Sequence, residues 1–144
     1  MPTVDIQIRE KRFWRLIHPK AFCRQVILSA WAGNPDAEIS LVLADDNFVH
    51  ALNKQYRGKD KPTNVLSFEN EGLCAGDIVV AHGVLVREAK EQKKSFRAHL
   101  AHLLVHGTLH LQGFDHLTDK QASKMESLET KIMQKLGYPD PYKE

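Results

Sequence analysis

Glu38–Ala44 reads E-I-S-L-V-L-A and leads directly into D-D-N-F-V-H-A-L-N-K-Q-Y, and this stretch decides the fold class. Its first part is mostly aliphatic, which is typical of a buried strand. Asp45 can then cap a helix that carries Phe48, Leu52 and Tyr56. A strand followed at once by a helix predicts a βαβ-like unit near the start of the fold.

Further strands are predicted on both sides of this unit. Thr3–Arg9 alternates apolar and polar residues, the pattern of a half-buried strand. Val65–Phe68 reads V-L-S-F, and the run G-D-I-V-V-A that follows Gly72 is equally rich in strand-forming residues. The short connection between these last two strands predicts a hairpin.

Helical periodicity accounts for most of the remaining chain. In chain order, the other predicted helices are Pro19 to Trp31, Val84 to Lys93, Ser95 to Leu111, and a last one between the capping box Thr118-x-x-Gln121 and Gly137. Strands followed by a run of helices predict an α+β domain. A chain of 144 residues has the usual size of one domain, so residues 1–144 should form a single domain.

Composition argues against several other classes of protein. Apolar residues make up 42% and charged residues 26%, so the chain should bury a core and not stay disordered. No stretch is apolar enough for a signal peptide or a membrane span, which predicts a cytoplasmic protein without membrane contact. Cys23 and Cys74 are far apart and suggest neither a disulfide framework nor a thiolate metal site. The net charge of +2 is too small to indicate nucleic-acid binding by itself.

The strongest chemical signal is H-G-T-L-H-L-Q-G-F-D-H, which runs from His106 to His116. His106 and His110 are four residues apart, so on a helix they share one face at a separation of about 6 Å. Gly113 can adopt the left-handed conformation that ends a helix, which allows His116 to return toward them. Three histidines would leave one coordination position open, as in catalytic zinc sites.

Unrelated surface or core histidines are the alternative explanation of this motif. From this composition, H-x-x-x-H-x-x-G-x-x-H should arise by chance in roughly one chain in a thousand, so a metal site is favoured. We predict one zinc ion per chain, while imidazole ligands also suit nickel, copper and iron.

The same spacing occurs in metzincin peptidases, where a Glu follows the first His and acts as general base. This chain has Gly107 at that position. The role of that base is worth about 10²- to 10⁴-fold in rate, which makes a peptidase an unfavoured hypothesis. Three neutral imidazoles also leave the charge of the ion uncompensated, which favours an anionic substrate such as a phosphodiester.

Four segments give the chain a family resemblance. They are N-K-Q-Y-R-G-K-D-K-P-T-N-V-L-S-F from Asn53, A-G-D-I-V-V-A from Ala75, the histidine motif from His106, and L-G-Y-P-D-P-Y from Leu136. Together they closely resemble the YbeY family of bacterial endoribonucleases over most of the chain. The resemblance implies a small mixed four-stranded sheet, mostly parallel with one antiparallel strand, covered by about five helices.

The resemblance also implies an activity, which is metal-dependent cleavage of single-stranded RNA in 16S rRNA 3′-end maturation and ribosome quality control. The partners would be single-stranded RNA, rRNA and ribosomal particles. By motif position, His106, His110 and His116 correspond to the metal ligands of the family, and Arg57 to an arginine important for activity. Asn64 stands where many members are expected to have Asp, and it keeps the shape of that residue without its charge.

The sequence allows two roles for each of several candidate site residues. Arg57 suits a phosphate clamp because a guanidinium can hold two phosphate oxygens, but a structural salt bridge is the alternative. Asp115 could hold the imidazole of His116 or serve only the turn. His99 and His102 share the helix face of the ligands, and each either lines the cleft or is simply packed or solvated.

The reaction and the function also stay open in part. No residue stands out as a general base, so a metal-bound hydroxide could attack phosphorus, or the RNA's own 2′-hydroxyl could be activated. The alternative function is a ribosome-binding assembly factor whose metal is structural. A zinc metallopeptidase is the third hypothesis, and the sequence leaves the oligomeric state undecided.

Overall fold

The structure, a computed structural model, describes residues 1–61, 63–69 and 74–142. Its strands are β1 Thr3–Ile8, β2 Glu38–Ala44, β3 Val65–Glu69 and β4 Cys74–Ala81. Its α-helices are α1 Pro19–Ala30, α2 Asp46–Arg57, α3 His82–Glu91, α4 Phe96–Leu111 and α5 Asp119–Lys135. The predicted α+β class is confirmed, and the predicted elements lie within a few residues of the observed ones. Gly72, where the last two strands were expected to connect, lies outside the described residues.

The strands of the described residues form one mixed sheet in the order β1-β2-β4-β3. β1 pairs with β2 and β2 pairs with β4 in parallel, whereas β3 runs antiparallel to β4. The expected mixed sheet with one antiparallel strand is therefore confirmed, as is the pairing of β3 with β4. Because β3 is an edge strand, one of its sides can accept contacts from outside the sheet.

Helices cover both faces of the sheet. Successive residues of a strand point to opposite sides, so Leu41 and Leu43 join a large core that includes residues of α1, α4 and α5. Val42 and Ala44 join a smaller core with α2 on the other face. Helices α2 and α4 therefore lie on opposite faces of the sheet. No helix in the described ranges is both long enough and apolar enough to cross a bilayer.

Helix α1 buries the face that its sequence predicts. The buried residues of this face are Phe22, Cys23, Val26, Ile27 and Ala30. Cys23 is a free thiol, and burial raises its pKa to about 12, so it is protonated and unreactive at neutral pH. The side chain of the second cysteine, Cys74, lies outside the described part of the chain.

Helix α2 buries a different face from the one that its apolar residues Phe48, Leu52 and Tyr56 predict. Phe48 and Leu52 are only partly buried, and the fully buried positions are Val49 and Asn53. The side-chain amide of Asn53 donates to a carbonyl of the loop that follows, at 2.9 Å. Tyr56 keeps 62% of its surface exposed. The last turn of α2 therefore presents an aromatic ring to the outside.

Periodicity does not reveal the short 3-10 helix Lys11–Arg15. With a single turn or two, such a helix contains too few residues to show a repeat. Phe13 within it is fully buried, and its ring contacts His82 and Phe96. The 3-10 helix therefore adds a side chain to the main core that the sequence pattern does not predict.

Gly76 lies where β4 passes close to two neighbours. Its φ is +149°, and a Cβ there would run into the carbonyl oxygen of Phe68 and the side chain of Leu111. We expect Gly76→Ala to lower the free energy of unfolding by at least about 2 kcal/mol, because it adds both backbone strain and a clash. Urea unfolding followed by circular dichroism measures this loss.

Gly137 provides the control for this prediction. It also has a positive φ, +94°, but a Cβ there would meet nothing within 4 Å. Gly137→Ala should therefore cost only the backbone strain, about 1 kcal/mol. Equal losses for the two substitutions would show that the close approach at Gly76 contributes nothing.

Candidate metal centre

Helix α4 places His106 and His110 on one side, one turn apart. The helix ends at Leu111, and Gly113 follows with a positive φ of +92°. The N–H of Gly113 donates to the carbonyl of His110 over 3.0 Å, so the chain turns where the sequence predicts. This turn brings His116 against the two helical histidines.

The three imidazoles converge on one point. One nitrogen each from His106, His110 and His116 lies within 4.8 Å of the others, and the described residues contain no second group of this kind. The Nε2 atoms of His106 and His110 are 3.0 Å apart. Two nitrogens on a tetrahedral zinc ion are about 3.3 Å apart, so the helical pair already has nearly that spacing. The His116 side chain is the most exposed of the three, at 55%.

The surroundings of His110 favour its neutral form. Burial lowers its pKa, and the neighbouring imidazoles of His106 and His116 lower it further. A metal binds imidazole through a deprotonated nitrogen, so a lowered pKa favours metal binding. Three imidazole nitrogens with no carboxylate among them fit a transition metal better than magnesium or calcium.

Glu129 supports His106 from the core side. It lies on α5 with no exposed surface, and its Oε1 atom is 2.6 Å from Nδ1 of His106. Nε2 of His102 lies 3.4 Å from the same oxygen, and the hydroxyl of Tyr142 donates to Oε2. Burial by itself would raise the pKa of Glu129, but hydrogen bonds from these three side chains outweigh it and lower the pKa to about 2.

The contact with Glu129 sets the tautomer of His106. An ionised carboxylate only accepts hydrogen bonds, so Nδ1 of His106 carries the proton and Nε2 keeps its lone pair. Nε2 is also the atom that faces His110. Carboxylates that hold metal-binding histidines in this way fix the ring and raise its basicity. His106 therefore has the tautomer that a metal ligand needs.

Arg57 ends α2 and reaches the edge strand β3. Its Nη2 donates to the carbonyl of Ser67 over 2.5 Å, and its guanidinium lies 5.3 Å from the ring centre of Phe68. The hydroxyl of Ser67 donates in turn to the carbonyl of Gly107 over 3.4 Å, next to His106 in α4. One strand residue therefore links Arg57 to α4, the helix that carries His106 and His110. Within the described ranges, Arg57 forms no ion pair with a carboxylate.

Comparisons with known proteins identify the family of this chain. A family model described as Endoribonuclease YbeY matches residues 6–137. The chain belongs to the YbeY family. Endoribonuclease YbeY of Sinorhizobium medicae is 56% identical to it, with 74% of this chain and 68% of the relative covered. The YbeY of Methylocella silvestris is 42% identical, with 99% and 87% covered. The solution structure of TM1509 from Thermotoga maritima is 22% identical, and the match covers 99% of this chain and 100% of that protein. Its TM-score of 0.57 shows a shared fold.

Two further predicted site residues of this YbeY protein lie beside the three histidines. The carboxylate of Asp115 accepts from the backbone N–H of His116 over 2.7 Å and lies 3.8 Å from Nδ1 of that residue. The first contact is a hydrogen bond within the turn, and the second is too long for one. His102 lies 3.3 Å from the hydroxyl of Tyr142 and contacts Glu129. It borders the group of His106, His110 and His116 without being part of it.

Asn64 and His99 belong to a separate network. The amide of Asn64 donates to both oxygens of Glu88, at 3.0 and 3.3 Å, and Nε2 of His99 lies 2.9 Å from the same carboxylate. His99 is 2% exposed, and burial lowers its pKa. An Asp at position 64, as expected in many YbeY proteins, would place a second carboxylate against Glu88. The Asn of this chain avoids that repulsion.

The sequence prediction did not include Glu129 or Tyr142. A signal for Glu129 exists, because it stands between Met125 and Met133 on the buried stripe of α5. A charged residue on such a stripe is rarely buried without a partner. Tyr142 belongs to the family-like ending L-G-Y-P-D-P-Y, and no spacing in that segment indicates which residue it contacts. Glu129 could thus have been flagged, but Tyr142 could not.

Proposed function

We propose that this single-domain protein is a zinc-dependent endoribonuclease that cuts single-stranded RNA. The observation that supports it most is the convergence of His106, His110 and His116, with His116 exposed to solvent. Membership of a family described as endoribonuclease supports RNA as the substrate. We extend the proposal to rRNA as the physiological target, in 16S rRNA 3′-end maturation and ribosome quality control, which would place the protein in the cytoplasm with ribosomes.

Zinc is proposed because it commonly takes imidazole ligands and needs no redox partner. Three protein ligands on a tetrahedral ion leave one position for water or substrate. A bound zinc ion would stabilise the charge that develops on the phosphoryl oxygens and lower the pKa of a water molecule. Other divalent transition metals that bind imidazole are alternatives that elemental analysis distinguishes.

The chain's own residues would position the RNA and the ligands. Arg57 has five N–H donors, and the described residues engage one of them, at the carbonyl of Ser67. The remaining donors can hold two phosphate oxygens in a planar fork. Ser67 also contacts Gly107 in α4, so the proposed clamp is connected to the helix that carries His106 and His110. Glu129 would keep His106 in the required tautomer throughout the reaction.

The two other hypotheses have less support. A metzincin-like peptidase needs a Glu at position 107, but even a Cβ there would lie 3.1 Å from Ser67 Oγ and 3.2 Å from Ile78 Cγ2. A long carboxylate side chain would have to displace that part of the sheet. A structural metal, as in a pure assembly factor, would take a fourth protein ligand. The metal-binding group within the described residues holds three.

Cleavage by metal-defined protein tests the proposal. Metal-free and zinc-loaded protein would be given a labelled single-stranded RNA and the same sequence as a duplex. We expect zinc at about one ion per chain and cleavage of the single strand only. Zinc bound by a fourth protein ligand, with no cleavage under any divalent metal, would favour the assembly factor. Fragments with 2′,3′-cyclic phosphate ends would show attack by the RNA's own 2′-hydroxyl, and exclusively 5′-phosphate fragments would exclude it.

Substitution of Arg57 should separate catalysis from metal binding. Arg57→Ala should lower kcat/KM about 10²-fold, because the phosphate loses its clamp near the developing charge. Arg57→Lys keeps the charge without the planar fork, so its loss should be intermediate. Zinc affinity should stay the same in both variants, since Arg57 contacts none of the histidines. Initial rates on single-stranded RNA and competition with a chromophoric chelator measure the two effects.

Arg97 provides a matched control for Arg57. Its guanidinium lies over a phenyl ring in the same way, 4.1 Å from the centre of Phe22, at the start of α4. Arg97→Ala should cleave RNA like the parent protein. Parental cleavage by Arg57→Ala, or an equal loss in Arg97→Ala, would contradict the phosphate clamp.

A further inference from the structure

Tyr56 is an exposed aromatic residue in the last turn of α2, next to Arg57. It keeps 62% of its surface exposed although its ring contacts Phe68, with ring centres 5.8 Å apart and planes at 69°. It belongs to neither apolar core, because α2 packs on the sheet through Val49 and its half-buried neighbours. Tyr56 therefore contributes little to the packing of α2, and most of its ring surface is available to a partner.

A second ring and a cation lie beside Tyr56. Phe68 contacts both the ring of Tyr56 and the guanidinium of Arg57, whose Cζ is 5.3 Å from its centre. A single exposed aromatic residue is common and needs no explanation. An exposed ring, a supporting ring and an anchored guanidinium together offer a surface for a base and a donor for its phosphate. These are the features by which proteins recognise unpaired nucleotides.

The position of these residues fits RNA that reaches the three histidines. Ser67 and Phe68 are neighbours on β3, so their side chains point to opposite faces of the sheet. Ser67 contacts Gly107 in the ligand helix, while Phe68 contacts Tyr56 at the end of α2. Arg57 reaches between them to the backbone of β3. An RNA strand that crosses this edge could place one phosphate at the guanidinium and the adjacent base on the exposed ring.

Positive charge dominates the loop after α2. Arg57, Lys59 and Lys61 are exposed. The carboxylate in this loop, Asp60, is paired with His50 at 2.7 Å. A local excess of cations attracts a polyanion and raises its local concentration. The cations of this loop, next to Tyr56 in sequence, favour a nucleic acid over an apolar or cationic partner.

We infer that Tyr56 and Phe68 form a stacking site for one nucleobase of single-stranded RNA, adjacent to the phosphate held by Arg57. The inference rests on the proposed function and adds a base-binding position to it. It gives a physical basis for a preference for single strands, because a paired base cannot leave its stack to lie on Tyr56. Every base has a π-face, so the site should accept all four bases.

Binding measured without cleavage tests the inference. The probe is a fluorescein-labelled 2′-O-methyl oligouridine, titrated with the purified protein, followed by fluorescence anisotropy and recovered intact. We expect Tyr56→Ala to weaken binding about 5- to 20-fold and Tyr56→Phe to retain it, because stacking needs the ring and not the hydroxyl. An oligonucleotide that lacks the stacked base should bind the parent as weakly as the intact probe binds Tyr56→Ala. Its affinity for Tyr56→Ala should equal that of the intact probe for Tyr56→Ala, because the base and the ring act through one contact.

Trp14 provides the matched control. It is 56% exposed in the 3-10 helix, and the ammonium of Lys20 lies 5.9 Å from its ring. Trp14→Ala should bind the probe like the parent. Parental affinity of Tyr56→Ala, or an equal loss in Trp14→Ala, would overturn the stacking site. If the parent protein bound RNA through Tyr56 but cut no RNA, the stacking site would be supported and the proposed nuclease activity would fail.

Discussion

The His110→Ala protein should lose at least about 10³-fold in kcat/KM on single-stranded RNA, because it retains only two of the three proposed metal ligands. Nε2 of His110 lies 3.0 Å from Nε2 of His106, and both point to the place where His116 converges. Catalytic zinc sites have three protein ligands, so two imidazoles should hold the ion too weakly to retain it. Initial rates at saturating zinc and the zinc content after dialysis measure the two losses.

Loss of metal has to be distinguished from loss of the fold. His110 is partly buried, so its variant should first show parental circular dichroism and urea unfolding. His18→Asn is the control, since His18 is exposed, makes no side-chain cap hydrogen bond and has a left-handed backbone conformation that Asn tolerates. It should keep both zinc and cleavage. A folded His110→Ala protein that cut RNA at the parental rate would exclude these histidines from the reaction.

The second large effect is expected at Glu129. Glu129→Gln keeps the size of the side chain but removes the charge that holds His106, 2.6 Å away. Loss of such a partner typically lowers metal affinity 10- to 100-fold, so the zinc dissociation constant should rise by about that factor. Stability should also fall by about 3 kcal/mol, because His106, His102 and Tyr142 lose a buried ionised acceptor. Chelator competition and urea unfolding measure these changes.

Glu126 lies on the same helix and provides the control for Glu129. It is exposed, so Glu126→Gln should change neither zinc affinity nor stability by a measurable amount. Tyr142→Phe removes one donor to Glu129 and should give a smaller loss of zinc affinity than Glu129→Gln. If folded Glu129→Gln bound zinc as tightly as the parent, His106 would not depend on this carboxylate for its orientation.

Most of the fold could be predicted because each element has a local signal. The aliphatic run of β2 consists of adjacent residues, and the two residues of the α5 capping box are only three positions apart. The exposure of Tyr56 could not be predicted, because it depends on which side of α2 meets the sheet. Phe13 is buried by His82 and Phe96, which lie far along the chain. Such contacts are set by tertiary packing and leave no periodic pattern.

The candidate site also contains residues that the sequence predicts and residues that it does not. His106, His110 and His116 could be predicted together because one helix turn and one chain reversal connect them. Glu129 lies 23 residues after His106 and reaches it only because α5 packs against α4. No fixed spacing relates residues on two packed helices, so an isolated sequence cannot assign this pair. Arg57 was found through family resemblance, and its contact with Ser67 depends on how α2 crosses the edge of the sheet.

The hydrogen bonds from Tyr142 and His106 to Glu129 can form only after all three residues have been synthesised. During synthesis the three histidines emerge first, then Glu129 on α5, and Tyr142 after both. The nascent chain could therefore form its sheet well before the metal ligands gain their support. Ribosome-bound chains that end before α5 should retain zinc more weakly than chains that extend past Tyr142.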